Sequence, residues 1–370
     1  MTTAKDLSIF FLVTLSLFYI FFTNTHLNYE ESLLLGGADG ESYFSISFYA
    51  PEISKVKIQP IHSERFIFPY LIGMASKISG IKIFLLYKIL SVLLLFLINL
   101  VFIQISKKLR FSQFQIGLCL CLINFNPYIT RFYISNPTII TDLFFHLGLL
   151  ICILGIVEKK NFILLIGLII AVAARQSAIA ILISLMFVDL INKNFISKLK
   201  VNLLFVSVFL AIFSLNLYYS SHTIFYDNER SSQYIITVFG LFIENKNFLE
   251  IIHFLIFLPA LSFGPLFLIY IFKIRKIGFR NQFSALNIFI LTCSTMLIVQ
   301  PFLSGVDVTG RNVMRLATLG YIPIVIFFFL NMPISKIFPK WQLAFLAILF
   351  FIWSSHPTFS IYTFLEYLKF

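Results

Sequence analysis

The sequence predicts an all-α protein, built as a polytopic transmembrane helical bundle of about eleven spans. Of its 370 residues, 59% are hydrophobic and only 12% are charged, and the mean hydropathy is +0.94. This composition leaves too little polar surface to cover a water-soluble globule. The chain is basic, with 28 Lys and Arg against 16 Asp and Glu, but its basic residues form short clusters between apolar runs. Because a nucleic-acid surface needs a continuous basic face, we expect membrane lipid and no nucleic acid as a partner.

Long apolar runs recur along the chain, and about 20 such residues are needed to cross a hydrocarbon core of about 30 Å. The first run follows Lys5 and lacks a small-residue cleavage site after it, so we expect a retained first span rather than a signal peptide. The predicted spans lie near 7–23, 83–105, 114–125, 138–157, 162–174, 177–191, 201–219, 251–272, 284–300, 314–331 and 341–353.

The loops between these spans separate the charges. With the N-terminus in the cytoplasm, the basic loops all fall on the cytoplasmic side, as the positive-inside rule requires, and most acidic residues fall on the other side. We therefore expect a multi-pass protein of the cell inner (plasma) membrane whose active face is extracytoplasmic. The basic loops are 106–113, 158–161, 192–200, 273–283 and 332–340.

The segment 162–191 decides this topology. One continuous helix there would be about 45 Å long, which is too long for a single span. Two crossings joined at Ala174-Arg175-Gln176 keep every basic loop on the cytoplasmic side, whereas one crossing does not. The sequence therefore predicts two short helices, with Arg175 and Gln176 in a turn below the outer surface that faces protein or a watery cavity.

The non-spanning stretches belong to one transmembrane domain, 1–370, without a linker or a soluble domain. The first outer loop, about 24–82, is too long to be a simple connection. Its second half, Phe66 to Ile78, is apolar enough to form a helix at the membrane interface. A second long outer loop covers about 220–250.

Two carboxylates, Asp39 and Glu41, follow a glycine pair in the first outer loop. Such a pair can supply a general base or bind a divalent cation. The alternative is an acidic turn on a solvated loop. The sequence does not identify a cofactor, and it leaves open whether Asp39 and Glu41 bind a divalent metal ion.

A second group of polar residues, His62, Glu64 and Arg65, leads into an aromatic segment of the same loop. Arg65 can hold a phosphate, and His62 can titrate near neutral pH. An interfacial anchor is an equal alternative, because Arg, Tyr and Phe collect at the headgroup boundary without catalysis.

Further arginines fall on the outer side of the predicted topology. The planar guanidinium suits phosphate, and an arginine at membrane depth is costly enough to indicate function. The alternative is that each pairs with a carboxylate such as Asp142 or Asp307. Asp142 and His146, four residues apart, are expected to form a hydrogen-bonded pair inside the bundle. The candidate binding residues outside the first loop are Arg131, Arg175 with Gln176, Arg311 and Arg315.

These motifs resemble the GT-C superfamily of integral-membrane glycosyltransferases, whose members carry an acidic pair in the first outer loop. The resemblance rests on Asp39-Gly40-Glu41-Ser42-Tyr43 after a single first span and on Glu64-Arg65-Phe66-Ile67-Phe68-Pro69-Tyr70-Leu71 near the end of that loop. The Arg175-Gln176 turn resembles an arginine-containing outer turn of several members. Gly310-Arg311 before a span resembles a late loop that contacts the donor phosphate.

The resemblance implies a hexosyl- or pentosyltransferase that moves a sugar, with inversion, from a polyprenyl-phosphate donor to a glycan, lipid or protein acceptor. It implies Asp39 as the catalytic base and Glu41 as its helper. It also places Arg65, Arg175 and Arg311 around the donor phosphate. This chemistry is physically consistent, since the phosphate needs cations near the interface and the acceptor hydroxyl needs a carboxylate base.

Two other functions stay under consideration. The interrupted eighth predicted span, with Pro259, Gly264 and Pro265, favours a transporter or flippase of lipid-linked glycans. However, the charged residues cluster at outer helix ends and no internal repeat is visible, whereas transporters usually bind at the midplane between repeats. A glycan polymerase or ligase would instead place its main sites on later arginine-rich loops.

Overall fold

The computed structural model describes residues 12–17, 37–224, 284–303 and 313–331, with Phe263, Gly264, Leu266, Phe345 and Ile348. Within these residues the regular structure is helical and no strand occurs, so the all-α prediction is confirmed. In chain order the helices are α1 (Gly37–Tyr49), α2 (Pro60–Ser63), α3 (Ile67–Ser79), α4 (Ile83–Lys108), α5 (Gln113–Asn124), α6 (Phe132–Ser135), α7 (Ile140–Glu158), α8 (Asn161–Ala174), α9 (Ile179–Ile191), α10 (Leu199–Ser221), α11 (Ala285–Leu303), α12 (Val313–Ala317) and α13 (Tyr321–Asn331).

Three of these helices, α4, α7 and α10, are long and apolar enough to cross a membrane. The other apolar helices of the described residues are shorter, so the structure supports a membrane protein but not the full count of eleven spans. Leucines such as Leu203, Leu210 and Leu217 are exposed along α10, as on a helix that faces lipid.

Several predictions fall outside the described residues. These are Arg311, Asp307, Pro259, Pro265, the loop residues 225–250, the spans 251–272 and 341–353 apart from five single residues, and most of the span 7–23.

Local signals set the helix boundaries. α3 ends at Gly80, which adopts the left-handed conformation at φ 71° that glycine reaches without a Cβ clash. α5 begins after Ser112, whose hydroxyl accepts from the backbone N–H of Gln115 while the Gln115 side chain accepts from the backbone N–H of Ser112. The helix predicted over Phe66 to Ile78 is confirmed as α3.

The break predicted at Arg175 is also present. α8 ends at Ala174, Arg175 is extended with φ −156° and ψ 144°, and a 3-10 turn, Gln176–Ala178, leads into α9. The side chain of Arg175 is buried. The prediction of two short helices around a buried arginine is therefore confirmed.

α7 and α8 form a close antiparallel hairpin. A Cβ on Gly148 would lie 2.6 Å from the backbone N of Ala171, and a Cβ on Gly155 would lie 2.7 Å from the backbone N of Leu164. A residue later in α7 thus contacts a residue earlier in α8, so the two helices run antiparallel. Because small residues let the two backbones approach, this hairpin fixes Asp142, near the start of α7, opposite the end of α8.

The helices alternate in direction between two ends of the bundle. Contacts place the start of α7 with the end of α8, and the hydroxyl of Ser63 in α2 lies 2.7 Å from that of Ser220 at the end of α10. At the opposite end, Lys108 at the end of α4 meets Glu158 at the end of α7. We call the two ends the arginine end (Arg65, Arg175, Arg315) and the lysine end (Lys108, Lys160, Lys198).

Candidate active site

Asp39 lies near the start of α1, where its carboxylate contacts two nitrogen-bearing side chains. Its Oδ1 is 2.9 Å from Nε2 of His62, and its Oδ2 accepts a hydrogen bond of 2.7 Å from Nη2 of Arg315. The carboxylate remains 14% exposed. Since His62 comes from α2 and Arg315 from α12, tertiary packing assembles this contact.

Close packing of α1 holds Asp39 in this position. A Cβ on Gly40 would lie 2.8 Å from Oγ1 of Thr138, and a Cβ on Gly73 of α3 would overlap the carbonyl oxygen of Ser47. The Ser47 hydroxyl also donates a 2.6 Å hydrogen bond to the carbonyl of Pro69. Glycine is required at position 73, where the approaching atom is backbone, whereas the atom nearest Gly40 belongs to the side chain of Thr138. Helix packing rather than a mobile turn therefore positions the carboxylate.

Asp142 is the buried centre of the same network and is 1% exposed. Its Oδ1 accepts a hydrogen bond from Nη1 of Arg175, and its Oδ2 accepts a 3.1 Å bond from the Tyr133 hydroxyl. The same Oδ2 lies 3.5 Å from Nε of Arg315. Arg315 therefore bridges Asp39 and Asp142, and its guanidinium also lies 5.6 Å above the centre of the Phe132 ring.

A second layer of polar contacts joins the α2–α3 connection to the turn after α8. Nε of Arg65 donates a 2.9 Å hydrogen bond to Oε1 of Gln176, and Nε2 of Gln176 donates a 2.8 Å bond to Oε2 of Glu64. Nη1 of Arg65 also donates to the hydroxyl of Tyr43, at 3.3 Å. Gln176 thus holds Arg65 beside Arg175.

The site keeps unused hydrogen-bond donors. Burying charge is costly unless it is paired, and Arg65, Arg175 and Arg315 are all buried. Yet Nε of Arg175 and Nε of Arg315 have no hydrogen-bond partner among the described residues. A buried unsatisfied donor costs about 1–3 kcal/mol, and an oxyanion is the ligand that guanidinium donors bind best.

The surroundings set the protonation of the Asp39 and His62 pair. Burial raises the pKa of Asp39, but Arg315 and then His62 outweigh burial and hold that pKa well below its usual range. Burial lowers the pKa of His62, and Asp39 offsets this only in part. At pH 7 Asp39 is therefore ionised, and a neutral His62 donates its Nε2–H to Asp39, since Nδ1 of His62 has no partner in the described structure.

The structure brings most of the predicted site residues together at the arginine end. Arg131 is also buried, in the π-helical turn Pro127–Arg131 immediately before Phe132. Arg175 pairs with Asp142, as the alternative interpretation of this arginine expected. Asp39, His62, Arg175 and Arg315 are linked through Asp142, and Glu64, Arg65 and Gln176 form the adjoining layer.

Two expectations are not met. Glu41 does not join Asp39, because residues 37–49 form a helix in which side chains two positions apart point about 160° away from each other, and Glu41 is exposed. With Asp39 engaged by Arg315 and His62, the two carboxylates do not fit a shared cation site. Asp142 does not bond His146 either: its oxygens go to Arg175 and Tyr133, and both ring nitrogens of His146 lack a hydrogen-bond partner among the described residues.

Three side chains of the network were not among the predicted site residues: Asp142, Tyr43 and Tyr133. A signal existed for Asp142, because an ionisable residue inside an apolar span indicates a functional site by default. The tyrosines carried no comparable signal in a chain with 16 of them.

Chemically, the arginine end offers an ionised carboxylate beside guanidinium groups whose Nε donors have no hydrogen-bond partner among the described residues. Such a site can accept a proton and bind an oxyanion at adjacent positions. In comparisons with known proteins, no protein-family model, curated protein or solved structure matches the chain.

Proposed function

We propose that this chain is a GT-C-like membrane glycosyltransferase, which transfers a sugar from a polyprenyl-phosphate donor to an acceptor hydroxyl. The observation that carries this proposal is the contact of Arg315 with both Asp39 and Asp142 at one end of an apolar helical bundle. It places a carboxylate that can accept a proton next to guanidinium groups that can hold a departing phosphate.

The membrane setting supports the same function. We place the lysine end in the cytoplasm and the arginine end on the extracytoplasmic side, as the positive-inside rule favours. Nucleotide sugars are made in the cytoplasm, so a lipid-linked sugar is the economical donor for chemistry on the outer face. Its prenyl tail would lie in the hydrocarbon region beside the helix ends.

In the proposed reaction, the acceptor oxygen attacks the anomeric carbon and its proton moves to Asp39. The bond from the anomeric carbon to the phosphate oxygen breaks, and the polyprenyl phosphate leaves with the bonding electrons. Arg315 and Arg175 stabilise the charge that develops on the phosphate. His62 orients Asp39 by hydrogen bonding.

The remaining residues have supporting roles in this proposal. Glu64 and Gln176 hold Arg65 at the edge of the anion site. Arg131 and Arg311 stay proposed phosphate contacts on sequence grounds alone. We assign Glu41 no role, because it is exposed and points away from Asp39.

The test is transfer of radiolabelled sugar from a panel of polyprenyl-phosphate donors by the purified protein in lipid. We expect transfer by the native chain and a loss of about 100-fold or more in Asp39→Asn, because general-base catalysis contributes about 10²–10⁴-fold. Arg175→Ala should also lose transfer. Glu52→Gln is the matched control, since Glu52 is an exposed carboxylate of the same loop.

Insertion and folding are checked for each variant by size-exclusion chromatography. Full transfer by Asp39→Asn would remove the proposed base. If no donor supports transfer while labelled lipid crosses the bilayer, the flippase becomes the better explanation.

A further inference from the structure

The need to neutralise Asp142 does not explain why Arg315 lies between Asp39 and Asp142. It is shared between Asp39 at 2.7 Å and Asp142 at 3.5 Å, although Asp142 already has Arg175 as its counter-ion. Its Nε has no hydrogen bond within the described structure. Arg315 is therefore the arginine of this network that can change partner while Asp142 keeps a cation.

We propose that Arg315 moves from Asp39 to the donor phosphate during the reaction, so that donor binding makes Asp39 available as the base. This inference rests on the proposed function and adds an order to it: the donor binds before the acceptor hydroxyl is activated. In the resting site Arg315 is bound to Asp39, so an arriving donor phosphate competes with Asp39 for the same guanidinium.

The charge balance of the reaction supports this exchange. The donor is a phosphodiester with one negative charge, and the product polyprenyl phosphate carries a second one once the bond to the anomeric carbon has broken. The proton released by the acceptor hydroxyl neutralises Asp39. Negative charge thus leaves Asp39 and appears on the phosphate, where Arg315, which has already moved to the bound donor, stabilises it.

The charged and titratable groups around Asp39 determine what happens when Arg315 leaves. They are His62 from α2, Asp142 from α7, Arg65 before α3, and Tyr43 on α1 itself. Without Arg315, burial favours the protonated carboxyl of Asp39, and His62 and Arg65 offset only part of that effect. The pKa of Asp39 therefore rises when the donor is bound, which makes it a stronger base.

A binding experiment tests the exchange without requiring turnover. The probe is a short-chain isoprenyl methyl phosphodiester, which keeps a single negative charge across the accessible pH range. Its affinity is measured by calorimetry for the native protein and for Asp39→Asn. Because Asp39→Asn removes the competitor for Arg315, we expect this variant to bind the probe about tenfold more tightly, the effect of one close charge pair.

The matched control is Asp189→Asn, which removes a carboxylate at the lysine end and should leave the affinity unchanged. In an Arg315→Gln background, Asp39→Asn should give no gain in affinity. The affinity of the native protein should also rise as pH falls, since the complex holds Asp39 with the higher pKa, and this pH dependence should be weaker in Asp39→Asn.

The outcomes separate the two proposals. If neither the native protein nor Asp39→Asn binds the phosphodiester, the proposed donor class is wrong. If the native protein binds it and folded Asp39→Asn binds equally or more weakly, the exchange of partners by Arg315 is wrong while the donor class stands.

Discussion

The two ends of the bundle carry ion pairs of opposite character. At the lysine end, Lys108 and Lys160 contact Glu158 at 3.2 and 2.8 Å, and both lysines are more than half exposed. At the arginine end, Arg175 and Asp142 form a pair in which both side chains are buried. The same helix, α7, carries an acidic residue into each environment.

This difference shows what each kind of cation does. Water screens the charge of exposed lysines, so their ion pairs contribute little to stability. In a membrane protein, the number of lysines in a loop instead favours the cytoplasmic side for that loop. Buried arginines must be neutralised and hydrogen-bonded, so their presence in an apolar chain indicates a function that offsets the cost. Mutations at matched positions should therefore have very different effects at the two ends.

The largest effect is expected for Asp142→Asn. This change leaves Arg175 buried without its counter-ion and weakens the hold on Arg315, so the free energy of unfolding should fall by about 3–5 kcal/mol. A thiol-reactive dye can measure it, because Cys119, Cys152 and Cys293 are buried and free and become reactive on unfolding.

A double-mutant cycle shows whether the loss arises from the ion pair. Asp142→Asn combined with Arg175→Met should cost less than the sum of the two single changes, since neither partner is then left as an unpaired charge. Strictly additive effects would mean that this pair is not energetically coupled.

A smaller loss of stability is expected for a substitution between the two ends, where α7 and α8 pack against each other. Gly148→Ala puts a Cβ 2.6 Å from the backbone N of Ala171, so the helices must separate and stability should fall by about 1–3 kcal/mol. Gly117→Ala is the matched control: a Cβ there meets no atom within 4 Å, and alanine favours the helix. Equal effects at the two glycines would contradict the close packing of this hairpin.

The third prediction concerns pH. Because the pKa of His62 in the folded protein lies below its unfolded value of about 6.5, the unfolded chain takes up this proton first. The stability that neutral His62 contributes is therefore complete above about pH 6.5 and declines as pH falls below it. Between pH 7 and 5, the unfolding midpoint of His62→Gln should therefore fall less than that of the native protein. Parallel profiles for the two proteins would show that His62 does not titrate in this way.

The sequence predicted the helices better than their contacts. Among the described residues, the apolar runs and the broken segment around Arg175 predicted where the apolar helices lie, because periodicity and length are local properties. The contact of Asp39 with Arg315 joins residues 276 positions apart, and its geometry depends on how α1 and α12 pack. Glu41 was misjudged for a local reason, since a glycine pair suggested a flexible loop where the chain forms α1.

The smallest effect is expected for Glu158→Gln, at the other end of the helix that carries Asp142. Its partners Lys108 and Lys160 are exposed and can be hydrated once the carboxylate is lost, so the unfolding midpoint and the proposed sugar transfer should both match those of the native protein. The thiol-reactive assay and the transfer assay compare it directly with Asp142→Asn. A loss of stability in Glu158→Gln as large as that in Asp142→Asn would mean that the exposed and the buried ion pairs contribute equally. The proposed dependence on burial would then be wrong.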